Sequence, residues 1–240
     1  MLLLYNVSVS CRKTESLILE LGVNFLIIYF IGSLMGDMIV GKIRGGIDIR
    51  TMGSVNAGGT NALRTQGTLF ALGVVLIDVG KGVIGAGVVP GLDIPFIAED
   101  PSVSRTWLTL SCAAAAVFGH VWPIYHRFRG GKGAATLIGT LVILGPKLII
   151  GVLLIWGSML VLTGYVGLAT MTAASALPVW LAVTRLPEDQ PLFIYLAVMA
   201  ALVIYWHRSN IQRMRAGNEH RNLKVMLFKP GTVPPDNDQS

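Results

Sequence analysis

Three polar stretches carry the residue types that anion chemistry needs. The first is Gly53-Ser54-Val55-Asn56-Ala57-Gly58-Gly59-Thr60-Asn61-Ala62-Leu63-Arg64. Its glycines let backbone N–H groups converge on an anion, and the Ser54 and Thr60 hydroxyls add donors. Asn56 and Asn61 offer amides, and Arg64 offers a planar fork suited to phosphate. A helix starting near Thr60 would add the positive end of its dipole. The plainer alternative is a solvated turn at a helix start. The second stretch is His120-Val121-Trp122-Pro123, then Phe128-Arg129-Gly130-Gly131-Lys132-Gly133-Ala134-Ala135-Thr136. It again joins a glycine cluster, a cation and a following helix. It is not a nucleotide P-loop, because His126 stands where that pattern needs its first Gly and Gly133 fills the Ser/Thr slot. The alternative for His120 is a helix-end histidine at the membrane interface. The third stretch is His207-Arg208-Ser209-Asn210-Ile211-Gln212-Arg213-Met214-Arg215-Ala216-Gly217-Asn218-Glu219. Alone it reads equally as a basic segment drawn to anionic lipid.

Asp78 and Lys81 differ from these, because they fall inside an apolar run. At i and i+3 on a helix they can pair. Intramembrane charges suggest function by default, and the alternative is a structural ion pair facing the bundle interior. Asp37, near the end of the first apolar run, is expected at the interface.

The elements that position these residues follow from composition. The chain has 240 residues, of which 53% are apolar and only 13% charged, against about 25% charged in a globular domain. No formal charge falls between Lys147 and Arg185. Disorder is excluded, since it requires low hydrophobicity and high charge. Two cysteines, Cys11 and Cys112, make neither a disulfide framework nor a Cys-based zinc site. An all-α polytopic membrane protein is the class that remains.

A span needs about 20 apolar residues, and seven candidates can be drawn. They are Leu17 to Val40, Gly67 to Pro90, Thr106 to Trp122, Ala134 to Gly145, Lys147 to Leu162, Val166 to Val183, and Pro191 to Trp206. The uncharged stretch must hold two of them, because as one helix it would be about 55 Å long against a hydrocarbon core of about 30 Å. The fourth is short and stops at Pro146, so the fourth and fifth could be one Pro-kinked helix in a six-span chain. Charge favours seven. With alternating connections, 13 Lys and Arg fall on the side of all three motifs, five on the other, and Lys81 within a span. The basic side is read as cytoplasmic and the N-terminus as outside, although Arg12 and Lys13 alone would favour the reverse. Trp107, Trp122 and Trp206 fall near span ends, as interface aromatics do, while Met171 and Met199 read as packing or lipid contact. The start, from Met1 to Ser10, lacks a basic n-region, so no cleavable signal peptide is expected. The chain divides into an extension at 1–16, a membrane domain at 17–225 and a loose tail at 226–240. No internal repeat supports an inverted-repeat transporter.

Taken together, the three stretches meet at one membrane face. Two glycine-rich cradles with Arg64, Lys132, His120 and His207 suit a site for two phosphate-bearing groups, one per cradle.

The motifs resemble those of the acyl-phosphate-dependent glycerol-3-phosphate acyltransferases, the PlsY family. The segments at 53–64, at 119–136 and at 207–219 match that family's three motifs in order and spacing, and Asp78-x-x-Lys81-Gly82 resembles a further recurring element. The likeness covers residues from about 30 to 220. There are departures. Val55, Ala57 and Gly59 stand where the family usually has Gly, Pro and Ala, and Met35 and Gly36 stand where its first span usually carries a Pro.

The resemblance implies acyl transfer from acyl phosphate to the 1-hydroxyl of glycerol 3-phosphate at a bacterial inner membrane. The products would be 1-acylglycerol 3-phosphate (lysophosphatidic acid) and phosphate, for phospholipid synthesis. Under it, Ser54, Asn56, Gly58, Gly59, Thr60 and Asn61 would hold the acyl phosphate. Arg64, Gly130, Gly131, Lys132, Gly133 and His207 would hold glycerol 3-phosphate. Asn210, Arg213 and Glu219, with Asp78 and Lys81, would orient the site. The base is either a histidine, His120 or His207, or the acyl phosphate's own oxygen, as the family is thought to use. No covalent acyl-enzyme is expected, although Ser54 would be the candidate. No cofactor is expected, and no metal, since no carboxylate cluster would hold one. Membrane lipid and the enzyme supplying acyl phosphate would be partners, nucleic acid would not, and a monomer would suffice. The rivals are a transporter or channel working through Asp78 and Lys81, a lipid acyltransferase with a thioester donor, and a silent relative.

Overall fold

In the computed structural model, residues 19–97 and 99–228 are described. The extension, Cys11, Arg12, Lys13 and the last part of the tail lie outside them. The described residues form α-helices joined by short loops and single 3₁₀ turns, with no strand. The helices are α1 (Leu19–Gly32), α2 (Gly36–Ile43), α3 (Gly59–Gln66), α4 (Thr68–Gly87), α5 (Arg105–Val121), α6 (Ala134–Leu144), α7 (Pro146–Thr163), α8 (Val166–Thr184), α9 (Gln190–Trp206) and α10 (Arg208–Arg215).

Four helices, α4, α5, α7 and α8, are each long and apolar enough to cross a membrane. Two bent pairs qualify when counted whole: α1 with α2, bent by 41°, and α9 with α10, bent by 50°. Helix α6 has 11 residues and is too short by that measure. The single kinked helix considered for the fourth and fifth spans does not form. Gly145 adopts φ −162°, ψ 67° and ends α6, and Pro146 opens α7. Leu141 before the break and Val152 after it line the same cavity, so the two helices fold back on each other.

The first span is not the single helix drawn from the sequence. It breaks at residues 33–35 without a proline. The cause lies on another helix: the Lys81 ammonium donates to the Leu34 carbonyl at 3.0 Å, and the Gly36 N–H donates to Asp78 Oδ1 at 3.3 Å. Backbone groups freed by a break in an apolar interior need such partners.

Close crossings of small residues hold the bundle, as expected where lipid gives no hydrophobic drive between helices. A Cβ on Gly139 would meet the Val79 carbonyl oxygen at 2.0 Å, and one on Gly82 would meet that of Thr136 at 2.2 Å, so α4 and α6 touch through bare backbone. Gly119 does the same for α5 against α1, at 2.4 Å from the Tyr29 carbonyl oxygen. The centre is α5, whose Ala113, Ala115, Ala116 and Val117 are fully buried. The rim is α7, with Ile150, Leu153, Leu154 and Leu162 exposed. Met171 and Met199 are buried packing. Trp206, at the end of α9, is buried and packs edge-on against Phe118 and Trp122. Away from the motifs, buried Glu20 ties α1 to α5: Arg105 donates to it at 2.6 Å and the Asp100 N–H at 2.9 Å.

Candidate active site

The first motif is a loop built around Asn61. Its Oδ1 accepts from the Ser54 N–H at 3.0 Å, and its Nδ2 donates to the carbonyls of Ile49 at 2.8 Å and Met52 at 3.1 Å. The Asn61 amide, expected to be offered to an anion, is thus fully used in shaping the loop. Gly53 sits at φ +56°, where a Cβ would strike Asn61 Oδ1 at 2.4 Å. Ahead of the loop, Asp48 and Arg50 form a two-point pair, with Nε at 3.0 Å and Nη2 at 2.8 Å. Ser54 and Thr60 are exposed, Asn56 is half-buried, and α3 starts at Gly59. The departures have structural counterparts. Gly59 leaves room that Val75 fills, its Cγ2 lying 2.5 Å from where a Cβ would be. Val55 takes φ +57°, a region that a β-branched residue enters only under strain.

The second motif presses against the first. Gly131 lies between the His120 imidazole and the Ala57 carbonyl. A Cβ there would fall 2.2 Å from His120 Nε2 and 2.4 Å from the Ala57 oxygen. The Gly131 N–H donates to the His120 carbonyl at 3.1 Å, and Gly130 is equally tight against that carbonyl. The glycines are needed because the two cradles meet there through backbone. Gly133, at φ +77°, hands the chain to α6.

His120, in the last turn of α5, is buried. Its Nδ1 lies 3.3 Å from Asp78 Oδ1, and the same oxygen is 3.0 Å from Lys81 Nζ. Asp78 and Lys81 therefore pair as the i, i+3 spacing predicts, and they brace His120 and the α1–α2 break from inside. Sequence separation gives no sign of the His120 contact. Asp37 is likewise buried, with neither carboxylate oxygen bonded.

The third motif supplies the wall. His207 is buried, and its Nδ1 donates to the Val203 carbonyl at 2.8 Å. That carbonyl can only accept, so Nδ1 carries the proton and Nε2 keeps its lone pair. Asn210 sits at the middle of a relay. The Lys132 ammonium donates to its Oδ1. Its own Nδ2 donates to Glu219 Oε1 at 2.7 Å, and Arg213 Nε donates to Glu219 Oε2 at 2.6 Å. Burial pulls the Lys132 pKa down to about 8, the charge of Arg213 adds to this, Glu219 opposes it, and Arg64 adds a smaller push. Partial burial also lowers Arg64, against the pull of Glu219. Arg213 thus bonds Glu219 directly, Lys132 reaches it through Asn210, and Arg64 and His207 are electrostatic neighbours. The arrangement is short of negative charge, which a phosphate would supply.

The three motifs expected at one face are therefore in contact. Ser54, Asn56, Gly58, Gly59 and Thr60 lie on one loop, and Gly130, Gly131, Lys132 and Gly133 on the other. Arg64 and His207 stand beside them. Asn210, Arg213 and Glu219 brace from outside, Asp78 and Lys81 from within. Among the described residues, no three His, Cys, Asp or Glu side chains gather as a metal set.

Known proteins point the same way. The family model described as "Glycerol-3-phosphate acyltransferase" matches residues 23–217. Curated proteins of that name are similar over most of their length. The Chlorobaculum parvum protein is 35% identical, covering 80% of this chain and 92% of the relative. The Salinibacter ruber protein is 36% identical, covering 88% and 95%, and that of Halalkalibacterium halodurans 39%, covering 80% and 91%. Crystal structures of PlsY, an integral membrane glycerol 3-phosphate acyltransferase, superpose with a TM-score of 0.69 at 29% identity, covering 84% of this chain and 94% of that one. One is the glycerol 3-phosphate form and another the lysophosphatidic acid form.

Proposed function

The chain belongs to the glycerol-3-phosphate acyltransferase family, and from that premise we propose that its acyl donor is an acyl phosphate. The observation that supports this is the contact at Gly131, which sets the two glycine-rich loops side by side. A donor and an acceptor that both end in phosphate need such a pair.

The 54–60 loop holds the acyl phosphate through backbone N–H groups and the Ser54 and Thr60 hydroxyls, with Asn61 keeping the loop in shape. Arg64, Lys132, the Gly130–Gly133 turn and His207 Nε2 hold glycerol 3-phosphate. The excess of cations offsets the repulsion between two anions and lets the hydroxyl approach the carbonyl, which is the proximity effect. The 1-hydroxyl oxygen bonds to the acyl carbon, and donors beside it stabilise the oxyanion. The bond from acyl carbon to phosphate oxygen then breaks. The hydroxyl proton passes to the departing phosphate, which is basic enough and adjacent, so no acyl-enzyme forms. Asn210, Arg213 and Glu219 aim Lys132, while Asp78 and Lys81 hold His120 against the Gly131 turn. The chain works in a bacterial inner membrane, motif face to the cytoplasm and N-terminus outside, on lipid made there.

The test is phosphate release from palmitoyl phosphate by purified protein, with and without glycerol 3-phosphate. Release that needs both and yields lysophosphatidic acid is expected. Turnover with a coenzyme A or carrier-protein thioester instead would overturn the donor assignment.

A further inference from the structure

The third motif carries two arginines that the site does not use. Arg208 and Arg215 are both exposed on α10, and their spacing puts them on one stripe, two turns apart. Asn210 and Arg213, on the opposite face by the same spacing, meet Glu219. Between these faces Ile211 and Met214 close one end of an open groove of about 620 Å³. Its wall is α8 from Leu168 to Val179, with Ile204 of α9 beside it, and no charged residue lines it. Leu168 to Val179 is a rise of about 16 Å, the depth of one leaflet of a hydrocarbon core of about 30 Å. Ser175 and Ala176 leave the room, and Val179 and Ile204 are exposed along it. A third arginine stands where α8 begins. Arg221 donates to the Thr163 carbonyl at 3.3 Å and lies 5.1 Å from the Tyr165 ring, about one turn before Leu168. Arg208 is held in the same manner, 4.6 Å from the Tyr205 ring. Among the described residues, none of the three arginines meets a carboxylate.

We propose that this groove holds one anionic phospholipid of the phosphatidylglycerol class, with a chain along α8 and its phosphate among Arg208, Arg215 and Arg221. Charge complementarity selects the occupant. Three guanidinium groups without carboxylate partners, at the polar end of an apolar groove, are matched by a phosphate. A zwitterionic lipid would bring its own cation among them. A partner helix crossing the bilayer would need a wall about twice as long. A second copy, related by a two-fold axis along the bilayer normal, would set the same arginines against each other. The lipid is neither substrate nor product, and its site is separate from the reacting centre, because Arg208 and Arg215 face away from Asn210 and Arg213. It braces α10 from outside, while Asn210 holds Lys132 from within.

Native mass spectrometry tests this. Full-length protein is equilibrated in mixed micelles with equal amounts of phosphatidylglycerol and phosphatidylcholine, and the retained lipids are counted. One phosphatidylglycerol per chain is expected, preferred about tenfold over phosphatidylcholine, the scale of charge-assisted contacts from a few arginines. Exchanging Arg208→Gln, Arg215→Gln and Arg221→Gln together, all at exposed positions, should abolish the preference. Ala176→Phe, which fills the groove, should lower retention with the arginines in place. Lys132→Ala should keep the lipid. Equal retention of the two lipids, or a preference that survives the triple exchange, would overturn the proposal and leave bulk lipid in the groove. Loss of the lipid in Lys132→Ala would also overturn it, by moving the binding to the reacting centre. Dimers that retain no lipid and dissociate with Ala176→Phe would overturn it in favour of a second copy.

Discussion

Two ionic clusters in this protein are built from similar residues and do opposite work. In the interior, Asp78 meets Lys81 at 3.0 Å, with both side chains almost fully buried. One carboxylate meets one ammonium and the His120 imidazole, and the backbone groups of Leu34 and Gly36 join them. At the motif face, Arg213 bonds Glu219, Lys132 reaches it through Asn210, and Arg64 is its electrostatic neighbour. The first cluster pairs its charges inside the bundle. The second sets three cations against one carboxylate, a surplus that an anion would balance. On the proposed reading, charge balance, more than depth, separates scaffold ions from binding ions.

The contrast can be broken by substitution. Asp78→Asn leaves Lys81 buried and unpaired, which costs about 3–5 kcal/mol. Thermal unfolding in detergent should show a large loss of stability or failure to fold, and an unchanged midpoint would put Asp78 with the functional ions. Lys132→Ala should do the reverse. Its midpoint is expected to stay within a few degrees, while lysophosphatidic acid formation falls about 100- to 1000-fold, the scale of losing a charged donor at a reacting centre.

A pH series sharpens the same contrast. The folded pKa of Lys132, about 8, lies below its ordinary value of 10.5. Between these values the unfolded chain binds more protons, so in this window the Lys132 contribution makes the free protein more stable as pH rises. Affinity for glycerol 3-phosphate should run the other way, strong below about pH 8 and weakening above it as the ammonium loses its proton. KM measured from neutral pH upward should rise through that value, and Lys132→Arg should flatten the rise. The smallest effect belongs to Val55→Gly. Relief of a β-branched residue at positive φ is worth about 1–3 kcal/mol, less the greater unfolded-state freedom of glycine. A midpoint raised by about 2–4 °C is expected, without loss of turnover.

Much of this was legible along the chain. Apolar run lengths place α4, α5, α7, α8 and α9 to within a few residues, because each must be about as long as the hydrocarbon layer is thick. Glycine spacing marks both loops, because glycine admits the Asn61 side chain and positive φ at Gly53 and the close backbone approach at Gly131. The i, i+3 interval reveals the Asp78–Lys81 pair. What stayed hidden depends on contacts between distant segments. Asp78 finds His120, Lys132 finds Asn210, and Asn61 turns inward to three backbone groups, and no local pattern reports these. The burial of Asp37 and Trp206 stayed hidden for a related reason. Being near a span end says nothing about which way a helix faces.

The break between α1 and α2 bears on how the chain is made. Its own segment contains no residue that forces the bend, and the groups that hold it open, Asp78 and Lys81, are synthesised later. Residues 19–43 therefore leave the ribosome with every backbone group free to pair along one continuous helix. A fragment ending before α4 is expected to show that unbroken helix by NMR in micelles. An unbroken helix in that fragment would mean that the arrival of α4 bends the first span, so that assembly order is written into a salt bridge; a break already present there would place the cause within residues 19–43.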